Sequence, residues 1–130
     1  MNVRAKGATF ERSIIKVLKQ IGYEFAASTR VSSRLLDDCK IDINFVPFLI
    51  QCKMGYAKNR PKFDQLYKEM KIELTKKIPK ESELHTYPYI LLHHLDNRKP
   101  EHQLFTTTTT FGMELLRIYK LYMDGKLRED

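Results

Sequence analysis

The chain has 130 residues, with 23 Lys and Arg against 16 Asp and Glu and a formal net charge of +7. This length suits a single domain covering residues 1–130, and the basic balance favours a polyanionic partner. The sequence contains no apolar run long enough to span a bilayer and no secretory signal at its start. We therefore expect a soluble, intracellular protein with no membrane partner.

The first predicted element is a helix over residues 4–20, where apolar side chains recur at three- and four-residue steps. Gly22 follows it as a helix stop. A helical wheel places Glu11 inside the apolar stripe that contains Ile14 and Leu18. Because an unpaired buried charge is costly, we expect the Glu11 carboxylate to meet a cation, a metal ion or a chain of hydrogen bonds.

Three segments follow the first helix. Residues 23–28 predict a strand, and residues 29–40 predict a polar, mobile connection. The segment IDINFVPFLIQCK, residues 41–53, alternates apolar and polar side chains. This period of two predicts a hairpin of two strands that reverses at Val46–Pro47, because a proline suits a turn better than a central strand.

The predicted hairpin has two different faces. Asp42 lies opposite Gln51, and Lys53 lies two residues along on the same side, so a carboxylate, an amide and an ammonium share one face. An ordinary solvated strand face would show the same alternation. The other face is apolar, and core packing is the expected role of its cysteine; its members are Ile41, Ile43, Phe45, Phe48, Ile50 and Cys52.

A basic segment, residues 53–62, leads into a second predicted helix that begins near Pro61 and ends near Lys77. Residues 88–95 form an apolar run typical of a central strand, and the order strand, helix, strand implies a parallel crossover connection. The buried stripe of this helix is predicted to be Phe63, Leu66, Tyr67, Met70 and Leu74.

The last part of the chain predicts a strand that frays into a loop within the segment QLFTTTTT, followed by a helix over Phe111–Met123. Thr110 is the predicted cap of this helix, and Gly125 ends it. We expect the apolar stripe of the helix to be ordinary core, with part of it available for a dimer. The stripe comprises Phe111, Leu115, Ile118 and Tyr122.

The stretch KGATFERSIIKVLKQIGYEF, followed by Ser and Arg, then by Asp42 and by Gln51-Cys52-Lys53, resembles the PD-(D/E)XK nuclease superfamily. Its N-terminal part is most similar to the archaeal-type Holliday-junction resolvases, which open with a basic-Gly-x-x-x-Glu-Arg helix. The Gln-x-Lys motif is similar to that of Mrr-like restriction nucleases. The resemblance implies an α/β fold with a restriction-endonuclease-like αβββαβ core, in which helices flank a mixed central sheet.

The resemblance also implies a catalytic cluster of Glu11, Asp42, Gln51 and Lys53. Mg²⁺ is the implied cofactor, and Mn²⁺ is expected to substitute for it. Its ligands would be Glu11, Asp42, Gln51 and the backbone carbonyl of Cys52, since Mg²⁺ prefers a few oxygen ligands. Lys53 would position the attacking water or stabilise developing negative charge. The predicted DNA-binding residues are Arg12, Lys16, Lys19, Arg30, Ser32, Lys58, Arg60 and Lys62.

Three functions stay open at this point. The leading hypothesis is a homodimeric endonuclease that resolves four-way DNA junctions, because two symmetry-related clusters would provide the paired cuts. The second is an Mrr-like or other structure-selective nuclease acting on duplex or branched DNA. The third is a catalytically silent nucleic-acid-binding module, for which the neutral Gln51 in an otherwise acidic motif position is the reason. The presence of Glu11, Asp42 and Lys53 favours an enzyme.

Overall fold

The computed structural model describes residues 3–55, 62–95 and 103–126. Within these ranges, no helix combines the length and the apolar composition needed to cross a membrane. The elements in chain order are α1 (Val3–Ile21), β1 (Ala27–Ser28), α2 (Thr29–Ser32), α3 (Arg34–Asp38), β2 (Ile43–Asn44), β3 (Leu49–Met54), α4 (Phe63–Lys77), a short 3₁₀ helix (Glu83–Thr86), β4 (Tyr89–His94), β5 (Leu104–Thr107) and α5 (Thr109–Met123).

A mixed sheet lies at the centre of the fold. β3 pairs with β4 in parallel, and β4 pairs with β5 antiparallel. β1 and β2 form a separate antiparallel pair, and a backbone hydrogen bond from Asp42 N to Ile50 O, 2.8 Å long, connects this pair to β3. The parallel connection predicted from the order strand, helix, strand is confirmed, and the chain is mixed α/β with helices flanking the sheet.

Both faces of the sheet are covered by helices. Successive strand residues point to opposite faces, so Leu49 packs with one apolar cluster and Ile50 with another. The Leu49 cluster contains all five predicted residues of the α4 stripe. Three apolar residues of α1, Ile14, Ile15 and Leu18, pack against the Ile50 cluster. This arrangement suits a parallel pair, whose strands are normally buried on both sides.

The ends of α1 and α5 show how local chemistry sets helix boundaries. α1 ends as predicted, because Gly22 has a φ of +129° and Tyr23 N donates to Leu18 O over 3.0 Å. The predicted cap of α5 is wrong. The hydroxyl of Thr108, not of Thr110, accepts from Phe111 N at 3.3 Å, because the helix begins two residues earlier than its apolar pattern suggests.

The region between α1 and β2 differs from its prediction. The first strand is limited to Ala27–Ser28, and the polar connection over residues 29–40 forms the short helices α2 and α3. Ser28 and Ser33 accept backbone hydrogen bonds as the respective helix caps. Such short helices carry no apolar period. Capping serines and a few buried side chains define them instead.

The predicted hairpin is also only partly correct. β2 ends at Asn44, and Phe45 has a φ of 64°, so the chain leaves extended geometry before Val46–Pro47. The alternation therefore does not continue across the turn. Phe45 is 60% exposed and Ile41 packs on the α4 side, so the predicted single apolar face does not form. Asp42 N donates to Ile50 O, one residue away from the predicted partner.

The expectation of an ordinary core role for α5 is wrong, because no residue of this helix is buried. Phe111 packs against the α1-side cluster, with its ring centroid 6.0 Å from that of Phe48. Leu115, Ile118 and Tyr122 are all exposed. The sequence pattern shows which side chains share a face of a helix, but not whether another element covers that face.

Candidate active site

Glu11 is buried in the protein, as the helical wheel predicts. It is 5% exposed, and it follows the buried Phe10 on α1. Of the three possible partners, a cation is present, because Nη2 of Arg30 donates to Oε1 of Glu11 over 2.9 Å. Burial raises the pKa of Glu11, and the Arg30 guanidinium opposes this rise. A carboxylate in a helical apolar stripe is therefore held beside a positive charge.

Arg30 reaches Glu11 because α2 is fastened to the segment that carries Asp42. Thr29 N donates to Asp42 O at 3.0 Å, and Thr29 Oγ1 donates to Ile41 O at 2.6 Å. Thr29 is fully buried. The side chain of Ser28 accepts from Arg30 N and so fixes the first turn of α2. These bonds place the guanidinium beside the start of β2.

Asp42 lies at the centre of the site. Its Oδ2 accepts from Cys52 N at 2.7 Å. The pKa of Asp42 is raised to about 7, mainly by burial. The hydrogen bond from Cys52 N opposes this rise in pKa, whereas the negative charge of Glu11 adds to it. The positive charges of Lys53 and Arg30 lower the pKa. Glu11, Arg30, Asp42 and Lys53 thus interact electrostatically, and we refer to these four residues as the charged cluster.

Cys52 contributes its backbone to the site. In an extended strand the N–H and C=O groups of one residue point to the same side. Because Cys52 N donates to Asp42 Oδ2, the Cys52 carbonyl points to the same side of β3 as this bond, and its role as a metal ligand stays a prediction. The side chain packs with the α1-side apolar cluster, and burial raises the pKa of its thiol well above the ordinary value. The Cys52 thiol therefore stays neutral and serves packing, as predicted.

Gln51 is held by a residue that the sequence did not indicate. It is 4% exposed, and its Oε1 accepts from the hydroxyl of Tyr89 at 2.6 Å. The sequence suggests only an apolar central strand for Tyr89. The available signal was its hydroxyl, since a buried tyrosine normally finds a hydrogen-bond partner. Which partner it finds depends on the pairing of β3 with β4.

The Tyr89 ring is fixed by aromatic packing against α4. Its centroid lies 5.4 Å from that of Phe63 and 5.5 Å from that of Tyr67. Burial raises the pKa of Tyr89, and the charge of Asp42 adds to the rise, so the phenol stays protonated and donates to Gln51. α4 thus fixes the orientation of the Gln51 amide through one aromatic side chain.

The predicted DNA-binding residues occupy several places. Arg12, Lys16 and Lys19 are exposed on α1 and line an open depression. Ser32 Oγ donates to Ser28 O at 2.8 Å and accepts from Asn44 Nδ2 at 3.2 Å, so it is engaged within the protein. Arg30 pairs with Glu11. Lys62 is exposed before α4, whereas Lys58 and Arg60 lie outside the described residues.

The donor set of the site is suited to a hard divalent cation. In the part of the chain that the structure describes, no group of three or more His, Cys, Asp and Glu side chains is placed to hold a metal ion. The expected ligand set contains only two such side chains, Glu11 and Asp42, together with an amide and a backbone carbonyl. Burial raises the pKa of both carboxyl groups, and a divalent charge would offset that burial cost. The Gln51 oxygen has two lone pairs, so the bond from Tyr89 leaves one for a cation.

Comparison with protein-family models, with curated proteins and with solved structures gave no match to this chain. Assignment of a function therefore depends on the residues and contacts described above.

Proposed function

We propose that this chain is a metal-dependent endonuclease that hydrolyses DNA phosphodiesters, with four-way junctions as its preferred substrate. The observation that carries the proposal is the convergence of the charged cluster from α1, α2, the start of β2 and β3. The buried carboxyl group of Glu11 and the half-buried one of Asp42, held together with two cations, are costly for stability alone. A phosphodiesterase needs both signs of charge, because it must hold a cation and an anionic phosphate together.

The fold is consistent with a restriction-endonuclease-like core. The order α1, β1, β2, β3, α4, β4 is compatible with an αβββαβ pattern in which the short α2 and α3 are inserted after β1. The hydrogen bond from Asp42 N to Ile50 O brings β2 beside β3, and the parallel pairing of β3 with β4 continues the sheet. The proposed core therefore places Asp42 next to the strand that carries Gln51 and Lys53.

Asp42, Glu11, Gln51 and the Cys52 carbonyl would hold Mg²⁺, and Mn²⁺ is expected to replace it. When bound, the cation supplies charge neutralisation at the phosphate and lowers the pKa of coordinated water. Asp42 would be the central ligand, because its backbone bonds and its bond from Cys52 N fix its position. Gln51 adds oxygen without adding negative charge beside the phosphate.

Lys53 and Arg30 provide the positive charges. Lys53 and Gln51 are two residues apart in β3, so both side chains leave the strand on the same face. Lys53 interacts electrostatically with Asp42 and would stabilise negative charge that develops on the phosphate oxygens. Arg30 keeps Glu11 oriented, and its partly exposed guanidinium would also contact a phosphate.

The preference for junctions and a homodimeric state are proposals that rest on the motif resemblance and on symmetry. Two paired cuts require two sites, and a two-fold dimer supplies them in a fixed relation. The exposed cations Arg12, Lys16 and Lys19 on α1 would bind the DNA backbone beside Glu11. A nuclease that cuts linear duplex or other branched DNA would use the same charged cluster.

One observation favours a catalytically silent binding module as the second candidate. Oε1 of Gln51 accepts from Tyr89, and Oε1 of Glu11 accepts from Arg30, so two expected ligand atoms already have partners. In that function the cluster would stabilise the fold and the basic surface would bind DNA. Cation binding distinguishes the two candidates, because the silent module has no need of it.

The test uses four-way junction, linear duplex and single-stranded DNA, each incubated with protein and Mg²⁺, Mn²⁺ or EDTA. The nuclease predicts metal-dependent cleavage, with paired symmetric cuts in the junction. Mn²⁺ binding is measured in parallel by calorimetry, and Asp42→Asn should abolish both readouts. Glu81→Gln, which changes an exposed carboxylate after α4, is the control and should retain both. Tight DNA binding without Mn²⁺ binding or cleavage would establish the silent module instead.

A further inference from the structure

The outer side of α5 exposes an unusual amount of apolar side chain. The helix has 15 residues, and none of them is buried. Its exposed large apolar residues range from 39% to 63% exposed, and we call them together the α5 apolar surface. They are Met113, Leu115, Leu116, Ile118, Tyr119, Tyr122 and Met123.

This surface is unfavourable for a helix that stands alone against water. Helices of about 15 residues are marginal in isolation, and most helix stability in proteins comes from packing of the apolar face. α5 obtains some packing near its start, where Phe111 lies against Phe48. The residues of the α5 apolar surface extend along the helix from Met113 to Met123, beyond that anchor.

The exposed area approaches that of a specific protein interface. Seven side chains of roughly 200 Å² each, about half exposed, present on the order of 700 Å². A standard interface buries about 800 Å² on each partner, whereas the largest apolar patch on a typical monomer is about 300–600 Å². The α5 apolar surface is therefore close to the size that a stable complex requires.

The charges on α5 limit the kind of partner. Arg117 pairs with Glu114 within the helix, and Lys120 pairs with Asp124, the residue that caps its end, so these four charges sum to zero. DNA would require a positive surface, which α1 offers and α5 does not. The chain carries a net charge of +7, so two copies repel each other least through a surface that is locally neutral.

We propose that the α5 apolar surface is the interface through which two copies of this chain associate about a two-fold axis. In such an interface the same patch of both subunits is buried, so one helix covers its equivalent. The choice of a second copy as partner rests on the proposed function, which needs two sites for paired cuts. The size and neutrality of the surface do not depend on that function.

The experiment measures the molar mass of the chain by sedimentation equilibrium over a range of concentrations, without DNA or metal. Wild type is expected at twice the 15.4 kDa of one chain. Leu116→Glu and Tyr119→Glu should each raise the dimer dissociation constant by about 30-fold or more, because a charge would enter the centre of the interface. Ile72→Glu, which changes an exposed apolar residue of α4, is the matched control and should leave the mass unchanged.

Circular dichroism and thermal unfolding establish that each variant folds, which is expected because both α5 positions are exposed in the single chain. Three outcomes would overturn the proposal: a wild type that is monomeric at all concentrations, α5 variants that remain dimeric, or a control that dissociates equally. A dimer that fails to cut DNA would contradict the proposed function and leave this interface supported. A monomeric enzyme that cuts DNA would contradict this interface and support DNA cleavage as the function.

Discussion

The charged cluster and the α5 apolar surface depart from the usual distribution of side chains in opposite ways. The first buries the carboxyl group of Glu11 and half-buries that of Asp42, and the second exposes apolar side chains along most of a helix. Both arrangements cost stability in the isolated chain. We propose a different ligand for each region: a cation with a phosphate at the charged cluster, and a second copy of the chain at the α5 apolar surface.

This contrast identifies two regions in which substitutions should raise the free energy of unfolding. A polar residue in place of an apolar one on α5 removes an unfavourable exposure, and a neutral residue in place of a buried carboxylate removes a desolvation cost. Substitutions that would destabilise an ordinary core should therefore be tolerated or favourable in both regions. The loss should fall on binding and catalysis instead.

The largest expected effect is the loss of cleavage in Lys53→Ala and Asp42→Asn. Each should cut junction DNA about 10³-fold more slowly than wild type, because a preorganised group of the transition state is removed. DNA affinity should change little, since these groups contribute little to holding the backbone. Gel assays measure both quantities. Cleavage within about tenfold of wild type in either variant would remove that residue from the proposed site.

Tyr119→Glu should affect the same reaction differently. It lies on the α5 apolar surface, outside the charged cluster, so each monomer should keep a complete site and still nick single strands at a rate within about threefold of wild type. The two cuts in one junction should then occur independently of each other. Single-turnover assays on supercoiled cruciform DNA distinguish nicked from linear product. If the variant still makes paired cuts, the α5 apolar surface is not required for them.

The second-largest effect concerns stability. The pKa of Asp42 is raised from 3.8 to about 7 in the folded chain. At pH 3 and below the carboxyl is mostly protonated in both states, and as pH rises towards 7 the unfolded chain ionises first, so folded stability is lost. Asp42→Asn should therefore raise the free energy of unfolding by about 2 to 4 kcal/mol at pH 8 and by almost nothing at pH 3.

This prediction is measured by urea unfolding in EDTA at both pH values. Glu81→Gln, an exposed carboxylate, should change stability by less than about 0.5 kcal/mol at either pH. A variant Asp42→Asn that is less stable than wild type at pH 8 would mean that the carboxylate is compensated by its partners in the folded state.

A smaller effect is expected at Gln51. Gln51→Ala should raise the Mg²⁺ concentration for half-maximal cleavage several-fold, whereas Gln51→Glu should leave it unchanged or lower it, because a carboxylate binds a hard cation more strongly. Tyr89→Phe should raise this Mg²⁺ concentration by about fivefold or less, because the lost hydrogen bond contributes about 1 kcal/mol. Tyr67→Phe, in the adjacent ring, is the control. A Gln51→Ala variant that titrates like wild type would show that the amide is not a ligand.

The smallest effect separates α1 from α5 as DNA-binding surfaces. Log affinity should fall linearly with log salt concentration, and Lys16→Gln should reduce that slope by about one. Lys120→Gln on α5 should leave the slope unchanged, because its ammonium pairs with Asp124 away from the proposed DNA surface. Fluorescence anisotropy at several salt concentrations measures both slopes. Equal reductions would mean that DNA contacts both helices.

The elements predicted correctly are those whose length lets a period show. α1 and α4 repeat apolar residues over several turns, and β4 is a mostly apolar run, so their types follow from the sequence. α2 and α3 span less than two turns each, and their formation depends on the serine caps. The exposure of α5 was not predictable, because an apolar stripe looks the same whether or not another surface covers it.

The site was predictable to a different extent. Glu11 could be assigned to the interior from α1 alone, because a single helix fixes its direction. Its pairing with Arg30 depends on α2, and the bond between Gln51 and Tyr89 depends on strand pairing across 38 residues. The sequence suggests which groups belong together, but the hydrogen-bond partner of each group is a property of the folded chain.

The parallel pairing of β3 with β4 bears on the order in which the protein folds. Closing the long loop between the strands costs chain entropy before any contact compensates for it, so this pairing is expected to form late. The hydroxyl of Tyr89 meets Gln51 in the same step. A chain with α1 and α4 formed but the strands still apart would have no assembled ligand set. Nuclease activity in a refolding experiment should therefore appear with the slowest phase, well after most helical signal has recovered.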